Sequence, residues 1–289
     1  MNDFLVLGGD KRSVYLIDEI IKNAKTCSYL FIDEKHIQNT LAKKEAGLKE
    51  AIDNAKVIIL PIVTSKDGVF LNTPLCDEKV PLIDLIKHLT KEKILFKGQI
   101  KNNLILSDDE INYIKDENFS LKNAILTSQA TICETIKNLE IGINEAHILV
   151  TGFGKCSKAI CELLKAMRAK VYVSARNITA INKANSLGYS AYNLSYLKHL
   201  SKDKDAIINT VPFKIFTYDI LTEVKKDCPI LDISSSPYGL DKEDADKLDL
   251  KYFILPSLPG RFFPKSAGKI IYETVCEILN KRAGDIYDK

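Results

Sequence analysis

No apolar run in this chain approaches the length needed to cross a bilayer, and the first residues lead straight into "FLVLGG" with no basic segment ahead of a long apolar stretch. A soluble, cytoplasmic protein is the expectation. The seven cysteines, at positions 27, 76, 133, 156, 161, 228 and 276, form no CxxC pair, so neither a zinc site nor a dithiol centre is expected and no metal is assigned. Charge of one sign is not in excess: 41 Lys and Arg stand among 38 Asp and Glu. That balance argues against nucleic acid or a membrane surface as partner. There is no short-period repeat and no low-complexity stretch.

What is present is length and a repeated pattern. A chain of 289 residues can form two domains, each with its own core. Short apolar runs alternate with segments of helical period: "FLVL" (4–7), "YLFI" (29–32), "VIILPIV" (57–63), "ILVT" (148–151), "KVYVS" (170–174), "AIINT" (206–210) and "PILDIS" (229–234). Strands apolar at every position belong to parallel sheets covered on both faces. The fold class is α/β in two domains, a flavodoxin-like or Rossmann-like first domain and a Rossmann domain after it. Irregular stretches at 64–80 and 97–125 suit specificity loops. Thr131 and Glu134 have the spacing of a capping box, which predicts a bridging helix from about there to Gly142. The apolar spacing in 264–284 predicts a final helix that returns to the first domain. The expected division is 1–126 with 268–289, and 127–267.

The most informative stretch is "ILVTGFGKCSKAICELLKAMRAKVYVSARN", residues 148–177. Gly152 and Gly154 lie between a strand and a helix, and Ser157 stands where the dinucleotide fingerprint has its third small residue. The first glycine permits a tight turn, the second lets backbone approach a pyrophosphate, and the helix start offers free N–H groups. Phe153, Lys155 and Cys156 complete the turn. Two glycines alone are equally explained by conformation. However, Arg176 falls 24 positions after Gly152, near where an acid would hold the ribose 2′-hydroxyl of NAD. A guanidinium there pairs with a 2′-phosphate, so NADP is the expected cofactor, with Ser174 and Asn177 as further hydrogen-bonding candidates. Thr210, Val211 and Pro212, at the end of the fourth strand of this half, should wall the nicotinamide side, and Asp232 ends the strand beyond.

Read together with "GGDKR" (8–12), "TGFGKC" (151–156) and "NTVP" (209–212), the segment "LPSLPGRFFPKSAG" (255–268) resembles the A subunit family of bacterial dipicolinate synthase. The resemblance covers essentially the whole chain. It implies an enzyme of sporulating bacteria, acting in the mother cell, that uses NADP to oxidise a dihydrodipicolinate-level precursor to pyridine-2,6-dicarboxylate. It also implies a second partner, a flavoprotein-like B subunit, and a homo-oligomer is expected. The chain departs from the family at "QATICET" and at "SSSPYG" (234–239).

Two substrate carboxylates need cations. Arg12 in the "GGDKR" turn is one candidate, and Arg261 and Lys265 in the proline-rich segment, read as a loop, are the others, with Lys265 preferred because it leads into a helix. Thr64 and Ser65 are weaker candidates. Of the four histidines, His147 starts a strand at the wrong edge, and His88 and His199 fall in helical patterns, while His36 follows a strand and stays open. That scarcity argues against a His-based hydroxy-acid dehydrogenase. A shikimate-type or hydroxy-acid NADP enzyme, or a noncatalytic NADP-binding module, are the alternatives.

Overall fold

The computed structural model describes residues 2–287. By contacts the chain divides into two compact units, 1–123 with 263–289, and 124–262. The first unit holds strands β1 (Asn2–Leu7), β2 (Cys27–Leu30), β3 (Lys43–Lys44), β4 (Ala55–Ile59), β5 (Val63–Ser65), β6 (Ile94–Lys97), β7 (Gln99–Ile100) and β8 (Ile111–Asn112). Its main sheet runs β3-β2-β1-β4-β6-β8, all parallel, with β5 and β7 pairing apart from it. The second unit holds β9 (His147–Thr151), β10 (Lys170–Ala175), β11 (Ser190–Asn193), β12 (Ala206–Asn209), β13 (Ile230–Asp232) and β14 (Tyr252–Ile254). They are parallel in the order β11-β10-β9-β12-β13-β14. Both sheets are thus doubly wound, and each reverses direction beside its first strand, where such folds open a crevice at the carboxyl ends.

The helices are α1 (Lys11–Lys22), α2 (Leu48–Asp53), α3 (Leu82–His88), α4 (Glu117–Asn138), α5 (Lys155–Ala166), α6 (Ile178–Ser186), α7 (Leu197–Leu200), α8 (Tyr218–Leu221), α9 (Lys242–Lys247), α10 (Leu258–Phe262) and α11 (Pro264–Tyr287). Central strands with no polar face form the cores: Phe4, Val6, Val57 and Ile59 turn to one side of the first sheet with Leu16, Ile17 and Ile20 of α1, and Leu5, Leu7 and Ile58 to the other. Ile271 and Val275 of α11 join the first of these cores. The approach is close, since a Cβ on Gly268 would come within 2.7 Å of the Arg12 carbonyl and 2.8 Å of the Leu16 nitrogen.

Two expectations fail. α4 starts at Glu117, where the Asp116 carboxylate accepts the Phe119 amide at 2.9 Å, and not near Thr131. Thr131 is fully buried in mid-helix, and its hydroxyl donates to the Thr127 carbonyl at 2.7 Å. The Thr-x-x-Glu spacing reflects a shared helix face here, and threonine back-bonding to the preceding turn replaces capping. The segment around Arg261 and Lys265 is also no loop. Arg261 lies in α10 and Lys265 in the first turn of α11, separated by Phe263.

Candidate functional site at the β9–α5 turn

In the second unit β9 runs buried from Ile148 to Thr151 and the chain then turns at Gly152, whose φ of +83° suits glycine. A Cβ at 152 would also stand 2.7 Å from the Thr210 hydroxyl. The Gly152 amide donates to the Ser174 carbonyl at 2.8 Å, tying the turn to β10. Gly154 is the N-cap of α5, no side chain caps that helix, and a Cβ at 154 would meet nothing within 4 Å. The helix start is thus uncapped by any side chain and open at Gly154, the kind of site that can take the diphosphate of a dinucleotide. Ser157 is buried, its hydroxyl donating to the Gly154 carbonyl at 3.2 Å, which makes a small residue necessary there. Phe153 is buried edge-on against Tyr189, so its ring is structural. The Cys156 thiol is pushed up by burial and Lys155 is exposed.

Arg176 follows β10 directly, exposed, and its guanidinium has neither an ion pair nor a hydrogen bond to another described residue. Asn177 is exposed beside it but already caps α6, its side-chain oxygen accepting the Thr179 amide at 2.8 Å. Ser174 is fully buried, and its hydroxyl has no hydrogen-bond partner among the described residues.

Asp232, expected at the cofactor, is placed differently. It too is fully buried, and its carboxylate is filled from within the protein. One oxygen accepts the Ser234 hydroxyl at 2.6 Å, the Ser234 amide at 3.0 Å and the Asn209 amide group at 3.0 Å; the other accepts the Gly239 amide at 2.7 Å and the Tyr252 hydroxyl at 3.1 Å. Burial and this carboxylate together push the Tyr252 phenol up. Asn209, also buried, accepts the Thr151 hydroxyl at 2.6 Å and the Val211 amide at 3.1 Å. A polar chain therefore joins the carboxyl ends of β9, β12 and β13, and fixes the loops flanking the crevice. Sequence reasoning missed Thr151, Asn209 and Tyr252 because the pairing is across strands. The signal available was polar residues closing three otherwise apolar strands. Thr210 is half-buried, donating to the Thr151 carbonyl at 2.7 Å, with Val211 half-buried and Pro212 exposed after it.

The corresponding turn of the first unit is closed. Gly8 and Gly9 have φ of +62° and +98°, but the Gly9 amide is spent on the Asn72 carbonyl, and the Thr73 methyl lies 2.9 Å from where a Gly8 Cβ would be. Asp10 caps α1 and holds Arg12 with contacts of 2.9 and 2.6 Å, leaving Arg12 only 6% exposed. Burial raises the Asp10 carboxyl, yet the Arg12 hydrogen bonds and charge outweigh that and hold it below the ordinary range. Arg12 is therefore already neutralised and is no free anion site. Thr64 and Ser65 are buried and bonded internally, to the Pro61 carbonyl and to Asp67. Lys265 is exposed, near Asp18 of α1, whose carboxyl is raised by burial and by Glu19 and lowered by Lys265. Arg261 is half-exposed, 3.7 Å from the buried Glu134. Among the described residues no helix is long and apolar enough to cross a membrane, and no His, Cys, Asp and Glu cluster could hold a metal.

Residues 3–115 match the family of N-terminal domains of the dipicolinate synthase A subunit. The chain is similar to the A subunit of dipicolinate synthase along nearly its whole length. The dipicolinate synthase A subunit of Bacillus subtilis (strain 168) is 26% identical over 287 residues, 95% of this chain and 94% of that protein. The crystal structure of the dipicolinate synthase A chain from Bacillus subtilis superposes with a TM-score of 0.86 at 25% identity, covering 98% of this chain and 97% of that one. A shikimate dehydrogenase (NADP(+)) of Staphylococcus epidermidis is 27% identical over 178 residues, 61% of this chain and 59% of that protein.

Proposed function

We propose that the chain is the NADP-binding oxidoreductase subunit of a dipicolinate synthase, converting a dihydrodipicolinate-level precursor to pyridine-2,6-dicarboxylate. The observation that carries the reading is the pairing of an uncapped, glycine-lined helix start with an exposed, unpartnered Arg176 at the end of β10. The similarity to the A subunit of dipicolinate synthase supports the reaction, and the partial similarity to an NADP(+) enzyme supports the cofactor. When bound, NADP supplies the hydride acceptor.

The chain's own residues contribute placement. The amides at the start of α5 hold the diphosphate, Arg176 offsets the 2′-phosphate, and Gly152 lets the backbone come close. Thr210, Val211 and Pro212 border the reacting end, on a loop held by Asn209 and Asp232. Aromatisation of a dihydropyridine is downhill, so the demand on the protein is chiefly orientation. Lys265 is the preferred cation for a substrate carboxylate, because Arg12 and Arg261 are in ion pairs while Lys265, though near Asp18, forms none with a described residue. A partner B subunit, a homo-oligomer and a place in the mother-cell cytoplasm belong to the same reading.

The test mixes the chain, with and without the B subunit, with NADP and the product of dihydrodipicolinate synthase, and follows pyridine dicarboxylate and reduced cofactor together. Equimolar appearance of both is expected. Cofactor binding without turnover in either mixture would leave only a binding module. Lys265→Ala is expected to lower kcat/KM about 10- to 100-fold, the worth of one charge-assisted contact, with NADPH affinity unchanged.

A further inference from the structure

The second unit carries a groove of about 690 Å³ at its β11 edge, lined by Tyr172, Tyr192, Tyr196, His199 and Lys204 among others. Lys204 is the unusual member. It is only 7% exposed, yet forms no ion pair and no hydrogen bond with any described residue. Its ammonium lies 4.2 Å from the centre of the Tyr172 ring. A lysine this buried is ordinarily paired, because an ammonium loses hydration that only a partner restores. Burial accordingly holds Lys204 below the usual lysine range.

The charges around it do not supply the partner. Asp205 is engaged with the His147 amide at 2.7 Å, and His147 with the Tyr172 hydroxyl at 3.0 Å. Glu140 pairs with Lys251 at 3.2 Å. Asp203 is exposed and does not reach Lys204, while Lys225 opposes its charge and Asp227 and Cys228 lie beyond. The remainder of the groove is mostly aromatic and aliphatic, with Ile178 66% exposed, Tyr196 60% and Tyr192 40%, and Asn193, His199 and Asp203 are its other polar members. Large apolar side chains exposed together around one placed charge are the features of a ligand groove.

We propose that this groove binds an aromatic carboxylate, with Lys204 as counter-ion and Tyr192 and Tyr196 as the wall for the ring. A single lysine suits a singly charged head group, and three tyrosines suit a flat ring. Asp203, at the rim, disfavours a second negative charge on the ligand. The site does not depend on the nucleotide assignment.

The experiment titrates the full chain with sodium benzoate, followed by 1H–15N NMR and calorimetry. Shifts are expected to concentrate in residues 172 and 191–204. Benzyl alcohol, which lacks the charge, and acetate, which lacks the ring, should each bind at least 10-fold more weakly. Lys204→Met should weaken benzoate at least 10-fold and Asp203→Asn should tighten it about threefold, both with NADPH affinity unaltered. Should Lys204→Met not fold, Tyr196→Ala alters an exposed side chain and is expected to weaken benzoate at least threefold. Benzoate shifts scattered over the surface, acetate binding as well as benzoate, or wild-type affinity in Lys204→Met or Tyr196→Ala would each overturn the proposal.

Discussion

Two arginines show how burial and partner decide what a charged residue can do. Arg12 follows a glycine pair at the start of a helix and looks like an anion ligand, but Asp10 takes its guanidinium inside the protein. Arg176 follows a strand, and its guanidinium pairs with no other described residue. A charge-assisted contact to a 2′-phosphate is worth about 1.5–3 kcal/mol, roughly 10- to 100-fold in affinity. Arg176→Ala should therefore lose most of a preference for NADPH over NADH, measured by fluorescence titration of both cofactors. Equal affinities in the wild type would refute the assignment. The Asp10–Arg12 pair yields a prediction of its own. Because the folded carboxyl titrates below its unfolded value of about 3.9, its contribution is complete above that pH and is lost as pH falls through the folded value. Asp10→Asn retains a good N-cap but leaves Arg12 buried without its charge partner. It should be less stable at pH 7 by about 1–3 kcal/mol, with the gap to wild type narrowing as pH falls below about 3.9. Urea melts across that range check it, and a gap independent of pH would be evidence against the pair.

At the scale of elements, what was legible followed from local periodicity. Apolar strands spaced by helices implied parallel sheets, and "TGFGKC" marked the strand–turn–helix now seen at β9 and α5. Features depending on which atoms meet across strands were not legible. Asp232 ends a strand facing the crevice in the sequence pattern, yet the amides of Ser234 and Gly239 and the hydroxyl of Tyr252 fold back onto it. The full burial of Ser174 was not legible either, since the last three residues of β10 are all buried and an apolar run does not show which side a serine takes. The α4 start was missed because Thr131 and Glu134 satisfy a capping pattern that any helix face can carry. Gly268 was quoted only as part of a motif, and its role is contact between α11 and α1. A Cβ there meets backbone that cannot yield as a side chain would, with overpacking worth about 1–3 kcal/mol. Gly268→Ala should lower stability by that amount in urea melts without changing NADPH affinity. A fully stable variant would mean that the two helices separate without cost.

The molecule as a whole contains the same doubly wound topology twice, and only one copy leaves its first turn open. In the first unit Asn72 and Thr73 occupy the space above Gly8 and Gly9, and an internal ion pair uses the nearby cation. In the second unit nothing lies over Gly154, and the polar chain from Thr151 to Asp232 fixes the surrounding loops without covering the start of α5. Shared topology therefore does not imply shared ligands, since the occupants of the loops decide whether amide donors remain unspent. A ligand that binds the folded state stabilises it by about 2.7 kcal/mol at 100 times its Kd, and amides touching the ligand slow further in hydrogen exchange. With NADPH at that excess, protection should rise in residues 152–158 and 174–177 and at 209–211. Residues 8–13 should exchange at the rate seen without cofactor. Protection concentrated at 8–13 would transfer the nucleotide to the first unit, and with it the meaning of Arg176.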